Sequence, residues 1–133
     1  EAGQEKISKA VAMHVELSFK PIYHGEKSFA EVDLLMQKMC FALHTLEKVN
    51  TRAFRPMMFN NNIFDGLRHI LQVDAVYIKD FQKLGDLSAE KLLKLGAVLH
   101  YCYGSFDAAM LALRHYDEKS STDLANTYVQ ALR

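Results

Sequence analysis

The chain has 133 residues, half of them apolar, and its 16 basic residues balance 16 acidic ones, so the formal net charge is zero. That composition excludes wholesale disorder and argues against nucleic-acid binding, which usually requires a basic excess to displace counterions from phosphates. No apolar run approaches the ~20 residues of a membrane span and no signal peptide is recognisable, so we expect a cytoplasmic protein that does not bind membranes.

Apolar residues recur at steps of three and four along most of the sequence, a spacing typical of one face of a helix. The first predicted helix covers residues 4–20 and ends at Pro21, which has no backbone N–H to donate. The second covers residues 28–50 and begins with a capping box between Ser28 and Glu31.

A loop is predicted over residues 51–62, ending in the run of three asparagines at 60–62. Asparagine is a common N-cap and glycine a common helix terminator, so a third helix is predicted from there to residue 84, before Gly85. A fourth helix is predicted over residues 88–116.

Gly96 and Gly104 interrupt the fourth predicted helix, and Gly104 allows two interpretations. Either the helix ends at Tyr103 and a new one begins at Ser105, or one helix continues with a bend at Gly104. Because the apolar phase crosses Gly104 without a slip, we expect one helix, followed by a tail helix over residues 122–132.

The spacing defines two apolar seams that must be buried against other helices. The first seam consists of Val32, Leu35, Met39, Ala42, Leu46 and Val49. The second consists of Leu92, Leu95, Leu99, Cys102, Phe106, Ala109, Leu113 and Tyr116. We therefore predict an all-α fold, a mostly antiparallel four-helix bundle with a short C-terminal fifth helix, in which residues 1–133 form a single domain.

The two cysteines, Cys40 and Cys102, fall inside predicted helices. We expect them to be small buried apolar residues in a reducing compartment, and a disulfide between the two seams is the alternative. The sequence begins with Glu1 and not Met, so we also expect a processed chain or a piece of a longer protein.

His14 and Asp74 lie on apolar faces of the first and third predicted helices. Because an unpaired charge in a dry core is costly, we expect the two side chains to pair. The pair would be structural, fixing the register of the helices, or it would act as a proton-transfer dyad in an enzyme or as half of a ligand site. A placement of these side chains at the solvent edge is the remaining alternative.

Cys40 and His44 are four residues apart, so a helix would project both from one side, as a shared metal requires. On the fourth predicted helix, His100, Tyr103 and Asp107 line a flank beside the seam and are candidate ligand residues. Such pairs also arise by chance among six histidines, and the Glu-x-x-His motif of di-iron bundles is absent. The sequence therefore predicts no cofactor, with a metal site as an alternative.

The predicted loop is unusually apolar for a solvated connection. Its candidate binding residues are Arg52, Phe54, Arg55, Met57, Met58 and Phe59. They would either cover the open end of the bundle or bind a partner, since Met and Phe adapt to many shapes and Arg is favoured at interfaces. A narrower hypothesis has Arg52 and Arg55 hold a phosphate or carboxylate at the N-terminus of the third helix.

No phosphate loop, dinucleotide fingerprint, nucleophile elbow or paired CxxC occurs in the sequence, so binding is favoured over catalysis. The leading hypothesis is a protein-interaction or regulatory module, either a homodimer or an accessory domain of a larger protein, that binds through residues 51–59 and the exposed side of the fourth helix. The alternatives are a small-ligand or metal-binding bundle and an enzyme that uses His14 and Asp74.

Overall fold

The protein has a mixed α/β fold, and the all-α prediction is wrong. A computed structural model describes the backbone of residues 2–133 and the side chains of residues 6–133. The helices are α1 (Ala2–Lys9), α2 (Phe29–Lys38), α3 (Ala89–Tyr103), α4 (Phe106–Ser120) and α5 (Leu124–Ala131), with a 3₁₀ helix at Phe81–Asp86. The strands are β1 (Ala12–Ser18), β2 (Phe41–Arg52) and β3 (His69–Lys79).

The strands replace predicted helices where the residues suit an extended chain. In β1, the apolar Met13, Val15 and Leu17 alternate with polar residues, which is the period of a strand with one buried face. In β3, β-branched and aromatic residues are frequent, and these favour a pleated conformation. Residues 4–20 and 63–84 therefore do not form two long helices.

The strands form one antiparallel sheet in the order β1-β3-β2. The backbone N–H of Phe19 donates to the carbonyl of Leu71 at 3.0 Å, and that of Lys79 donates to Val11 at 3.0 Å. These two bonds fix one register along the whole β1–β3 pair. β3 is the central strand, and most of its residues from Val73 onward are buried.

The predicted capping box is confirmed at the start of α2. The backbone N–H of Ser28 donates to Glu31 Oε2 at 2.9 Å, and the N–H of Glu31 donates back to Ser28 Oγ at 3.5 Å. The helix ends at Lys38, much earlier than predicted, because Cys40 has a φ of 58° and turns the chain into β2. The first predicted seam is thus divided between a helix and a strand.

α3 and α4 form a helical hairpin, so the expected single helix is wrong and the alternative break at Tyr103 is right. Gly104 adopts the left-handed conformation with a φ of 61°, and the N–H of Ser105 donates to the carbonyl of Leu99 at 2.9 Å. The second predicted seam is buried only in part: Cys102 and Phe106, beside the break, are exposed, whereas Ala109 and Leu113 of α4 are buried in the hairpin. Leu92, Leu95 and Leu99 of α3 are buried in it.

Gly96 sets how closely the two helices approach. A Cβ atom at this position would lie 3.3 Å from Leu113 Cδ2 and 3.6 Å from the carbonyl oxygen of Ala109. Ala109, Ala112 and Leu113 are buried on the facing side of α4. A glycine within α3 thus allows close packing that a larger residue would oppose.

Asp117 of α4 organises the start of α5. Its carboxylate accepts hydrogen bonds from Thr122 Oγ1, from the N–H of Leu124 at 2.9 Å and from the N–H of Ala125 at 2.8 Å. Asp123, at the N-cap position itself, makes no side-chain cap. The predicted tail helix is present, and a side chain from the preceding helix caps it.

Two compact units account for the packing, one formed by residues 13–77 and the other by residues 78–133 with the N-terminal residues up to 12. The core of the first includes Met36, Phe41 and Tyr77, and that of the second includes Leu84 and Leu95. Cys40 and Cys102 are free and exposed, so the prediction of buried cysteines and the alternative of a disulfide are both wrong.

Candidate binding surface

The connection between β2 and β3 is the most unusual feature of the first unit. These strands are neighbours in the sheet, so a short hairpin turn would join them. Instead the chain takes residues 53–68 to return, longer than the roughly 12–15 residues beyond which an irregular loop is usually functional. We call residues 53–68 the β2–β3 loop.

Seven large apolar side chains of the β2–β3 loop are exposed. They are Phe54, Met57, Met58, Phe59, Ile63, Phe64 and Leu67. The exposed fractions reach 71% for Phe54 and 67% for Phe64, so these residues do not act as a cover over a core. So many exposed large apolar side chains on one loop are uncommon on a monomeric protein, which makes the loop a candidate interaction site.

Arg52, at the end of β2, holds the two ends of the loop together. Its Nη1 donates to the carbonyl of Thr51 at 2.9 Å and to the carbonyl of Phe64 at 2.9 Å. Its guanidinium carbon also lies 5.8 Å from the centre of the Phe64 ring. Arg52 therefore stabilises the folded form of the loop. The prediction that it lies beside a helix N-terminus is wrong.

The asparagine run forms tight turns and no helix follows it. Asn60 and Asn61 have φ values of 50° and 54°, a conformation that asparagine tolerates better than most residues. The side-chain amides of Asn60 and Asn62 donate to Asp65 at 3.1 Å and 2.9 Å, and Asn62 Oδ1 accepts from the N–H of Phe64 at 2.9 Å. The carboxylate of Asp65 thus fixes the tip of the loop from within.

Gly66 brings the returning chain against the end of β2. A Cβ atom on Gly66 would lie 2.1 Å from both the carbonyl carbon and the Oγ1 of Thr51. Only glycine fits this contact, because the clash would be with backbone as well as side-chain atoms. On the outgoing side, the ring of Phe54 packs 4.6 Å from that of His69.

The loop encloses a cavity of about 530 Å³ that has both apolar and cationic walls. Met57, Met58 and Phe64 line it together with Arg55. Arg55 makes no hydrogen bond or ion pair with the residues that the structure describes, and the same is true of Arg68 near the end of the loop. The volume is within the range of ligand pockets, and the charged groups of the lining are the guanidinium groups of Arg52 and Arg55 and the carboxylate of Asp65.

The expected buried pair of His14 and Asp74 does not lie between helices. His14 is exposed on β1, and Asp74 is half-buried on β3. In the observed register Asp74 lies opposite Glu16, and His14 lies opposite Val76, so the two share a face of the sheet on neighbouring strands. The premise that both side chains occupy a dry helical core is wrong.

Cys40 and His44, the two predicted metal ligands, do not lie on one helix. Cys40 belongs to the turn after α2 and His44 to β2, so the four-residue helical spacing that suggested a shared metal does not exist. Across residues 6–133, no group of three or more His, Cys, Asp or Glu side chains could hold a metal ion.

The three candidates of the fourth predicted helix are divided by the hairpin. His100 and Tyr103 lie in the last turns of α3, and Asp107 lies in the first turn of α4. His100 is instead joined to α5, because its Nδ1 lies 2.9 Å from the hydroxyl oxygen of Tyr128.

Sequence reasoning missed part of the loop surface. Ile63, Phe64, Leu67 and Arg68 were assigned to a helix because the asparagine run before them resembles an N-cap. The signal that identifies them as loop residues is Asp65-Gly66, a pair frequent in turns, directly after the three asparagines.

Comparison of the chain with protein-family models, with curated proteins and with solved structures gives no match. Among the helices of the described residues, none combines the length and the apolar character needed to cross a membrane.

Proposed function

We propose that this chain is a protein-interaction module and that the β2–β3 loop is its binding surface. The observation that supports this most strongly is the concentration of seven exposed large apolar side chains on one long loop. Burial of such side chains on binding removes apolar area from water, which is the main driving force of protein association.

The internal bonding of the loop supports the same function. Arg52 bridges its two ends, and Asp65 gathers the asparagine side chains at its tip. A loop that is already ordered loses less conformational freedom on binding than a flexible one. Its apolar side chains are thus presented on a braced support.

The charge of the loop identifies the chemistry of the partner. Arg55 and Arg68 have no counter-charge among the described residues, whereas Asp65 is already bound by two amides. We infer a partner segment that places apolar side chains beside aspartate or glutamate. Arginine is a preferred residue for such contacts because it binds carboxylates with two parallel hydrogen bonds.

A different protein is favoured over a second copy as the partner. In a symmetric dimer formed through this loop, each copy would bring the same cationic surface to the contact. Like charges at an interface cost free energy and disfavour that pairing.

The two free, exposed thiols support a reducing compartment, so we place the interaction in the cytoplasm.

Selection from a random dodecapeptide phage library tests the proposal and does not require the partner to be identified first. We expect the selected peptides to combine Phe, Leu or Trp with Asp or Glu. For the tightest synthetic peptide, a Phe54→Ala/Phe64→Ala variant should bind at least about tenfold more weakly in fluorescence anisotropy, a loss of ~1.4 kcal/mol or more.

Phe81→Ala is the matched control, since Phe81 is also an exposed phenylalanine but lies outside the loop. It should leave the peptide affinity unchanged. Arg55→Glu should weaken acidic peptides and spare neutral ones. Equal affinities for the loop variant and the wild type would refute the proposal.

A further inference from the structure

A second cavity, of about 440 Å³, lies among α3, α4 and α5 in the other unit. Gly96, Ala97 and His100 of α3 contribute to it, with Tyr128 and Ala131 of α5. Tyr101 and leucine side chains form the rest of its lining. It shares no residue with the β2–β3 loop, and the inference from it is independent of the proposed function.

Small residues keep this cavity open. Gly96 and Ala97 on α3 and Ala131 on α5 leave space that larger side chains would fill. Leu113 of α4 closes the space behind Gly96, since its Cδ2 lies 3.3 Å from where a Cβ would be. The result is an apolar slot with the buried Leu113 at its base and the exposed Leu93, Tyr101 and Leu132 at its rim.

Three of the side chains that line the slot are aromatic, those of His100, Tyr101 and Tyr128. The ring of His100 lies 4.6 Å from that of Tyr101 at 87°, and 5.6 Å from that of Tyr128 at 77°. Phe106, at the start of α4, approaches the same imidazole at 5.2 Å. Edge-to-face contacts of this kind are the preferred arrangement of aromatic groups, and a further ring could extend them.

The polar side chains that line the slot are those of His100, Tyr101 and Tyr128. Nδ1 of His100 is engaged by the hydroxyl of Tyr128 at 2.9 Å, whereas its Nε2 has no partner among the described residues. No Asp, Glu, Lys or Arg side chain of the described residues lines the cavity. An ion in the slot would find no Asp, Glu, Lys or Arg side chain to pair with, so the slot favours uncharged ligands.

We propose that this cavity is a binding site for a small, neutral, planar aromatic molecule that carries one hydrogen-bonding group. The ring lies between the small residues and the aromatic wall, and the polar group meets Nε2 of His100. The alternative occupant of the slot is an apolar side chain of a partner protein, which would make no hydrogen bond to Nε2 of His100.

Phenol is a suitable probe. Benzoate tests the effect of charge, cyclohexanol the effect of planarity, and benzene the effect of hydrogen bonding. Titrations of the full chain are followed by NMR through the Ala97 and Ala131 methyl groups and the His100 ring. We expect saturable shifts with phenol and a dissociation constant of the order of millimolar, given the size of the probe. Benzoate and cyclohexanol should bind at least about tenfold more weakly.

Ala97→Leu and Ala131→Leu fill the slot from its two sides and should each abolish the shifts. Ala30→Leu is the matched control, because Ala30 is exposed on α2 and lines neither cavity, and it should not change phenol binding. His100→Ala should reduce phenol affinity to that of benzene. Any one of three results would overturn the proposal: phenol and cyclohexanol bind equally, both filled variants retain phenol binding, or the NMR shifts with phenol do not saturate. A slot that prefers benzene over phenol would favour the side-chain alternative instead.

Discussion

The hydroxyl of Tyr77 donates a hydrogen bond to Asp33 Oδ1 over 3.1 Å and so ties the central strand β3 to α2. Tyr77 is fully buried, and Asp33 also accepts from Gln37 Nε2 at 2.6 Å. A buried phenol thus reaches a half-buried carboxylate that a second donor holds in place.

We predict that Tyr77→Phe lowers the free energy of unfolding by about 1.5–3 kcal/mol, the usual range for losing a hydrogen bond to a charged group. Chemical denaturation measures this change. The ring remains, so the core should stay filled. Tyr128→Phe, on α5, is a control that leaves the α2–β3 contact intact.

The same tyrosine predicts how stability depends on alkaline pH. Burial, followed by the negative charge of Asp33 and its hydrogen bond, raises the pKa of Tyr77 above its ordinary value of 10.0. The contribution of a group whose folded pKa is raised is complete below the unfolded pKa and is lost as the pH rises above it. Stability of the wild type should fall more steeply than that of Tyr77→Phe above pH 10, and parallel curves would contradict this assignment.

Because of Asp117, we expect the free energy of unfolding to depend on pH in the acidic range. Burial alone would raise the pKa of its carboxyl, but the hydrogen bonds from Thr122 and from the N–H groups of Ala125 and Leu124 outweigh it and lower the pKa below 3.8. Its contribution is therefore present above pH 3.8 and is lost as the pH falls through the folded value. Asp117→Asn should be less stable than the wild type at pH 7, and the difference should shrink at low pH.

Asp123→Asn is the control for Asp117→Asn, since Asp123 makes no side-chain cap at α5. Thermal unfolding monitored by circular dichroism at several pH values compares the variants. If Asp117→Asn retained the full acid sensitivity of the wild type, the carboxylate would not be the cap of α5.

Gly66→Ala tests whether the β2–β3 loop has the observed closed form. The added Cβ would meet Thr51 at 2.1 Å, so we expect a destabilisation of about 3 kcal/mol or a rearranged loop, with weaker peptide binding in either case. Gly85→Ala is the control, because its Cβ would meet only His115 Nδ1, at 4.0 Å. Denaturation curves for both variants give the comparison, and equal stabilities would exclude the close contact.

Gly96→Val tests the packing of the α3–α4 hairpin. Its branched side chain would collide with Leu113 and should cost about 1–3 kcal/mol. Ala97→Val, at the next and exposed position, carries the lower helix propensity of valine without the collision and should cost about 0.5 kcal/mol. A smaller effect at Gly96 than at Ala97 would be inconsistent with close helix packing.

The sequence predicted the C-terminal helices better than the N-terminal half. Leu92, Leu95 and Leu99 keep helical spacing in a segment rich in helix-forming residues, and their burial was anticipated. In residues 13–17, by contrast, the apolar spacing suits a strand as well as a helix, and tertiary pairing with β3 decides the outcome. Local spacing contains no information on that pairing.

The candidate surface was predicted in part for a similar reason. Phe54 and Met57 are predicted as binding residues because such apolar side chains are unusual in a solvated loop, and Arg55 because arginine is favoured at interfaces. The role of Arg52 depends on a carbonyl twelve residues away, at Phe64, which only the folded loop brings near. The aromatic surroundings of His100 likewise depend on α5.

Hydrogen–deuterium exchange with and without the tightest selected peptide tests the binding role of the β2–β3 loop most directly, because it locates the contact along the chain. We predict that protection increases in residues 53–68 and is unchanged in residues 89–131. Protection confined to residues outside 53–68 would contradict the assignment of the loop as the binding surface.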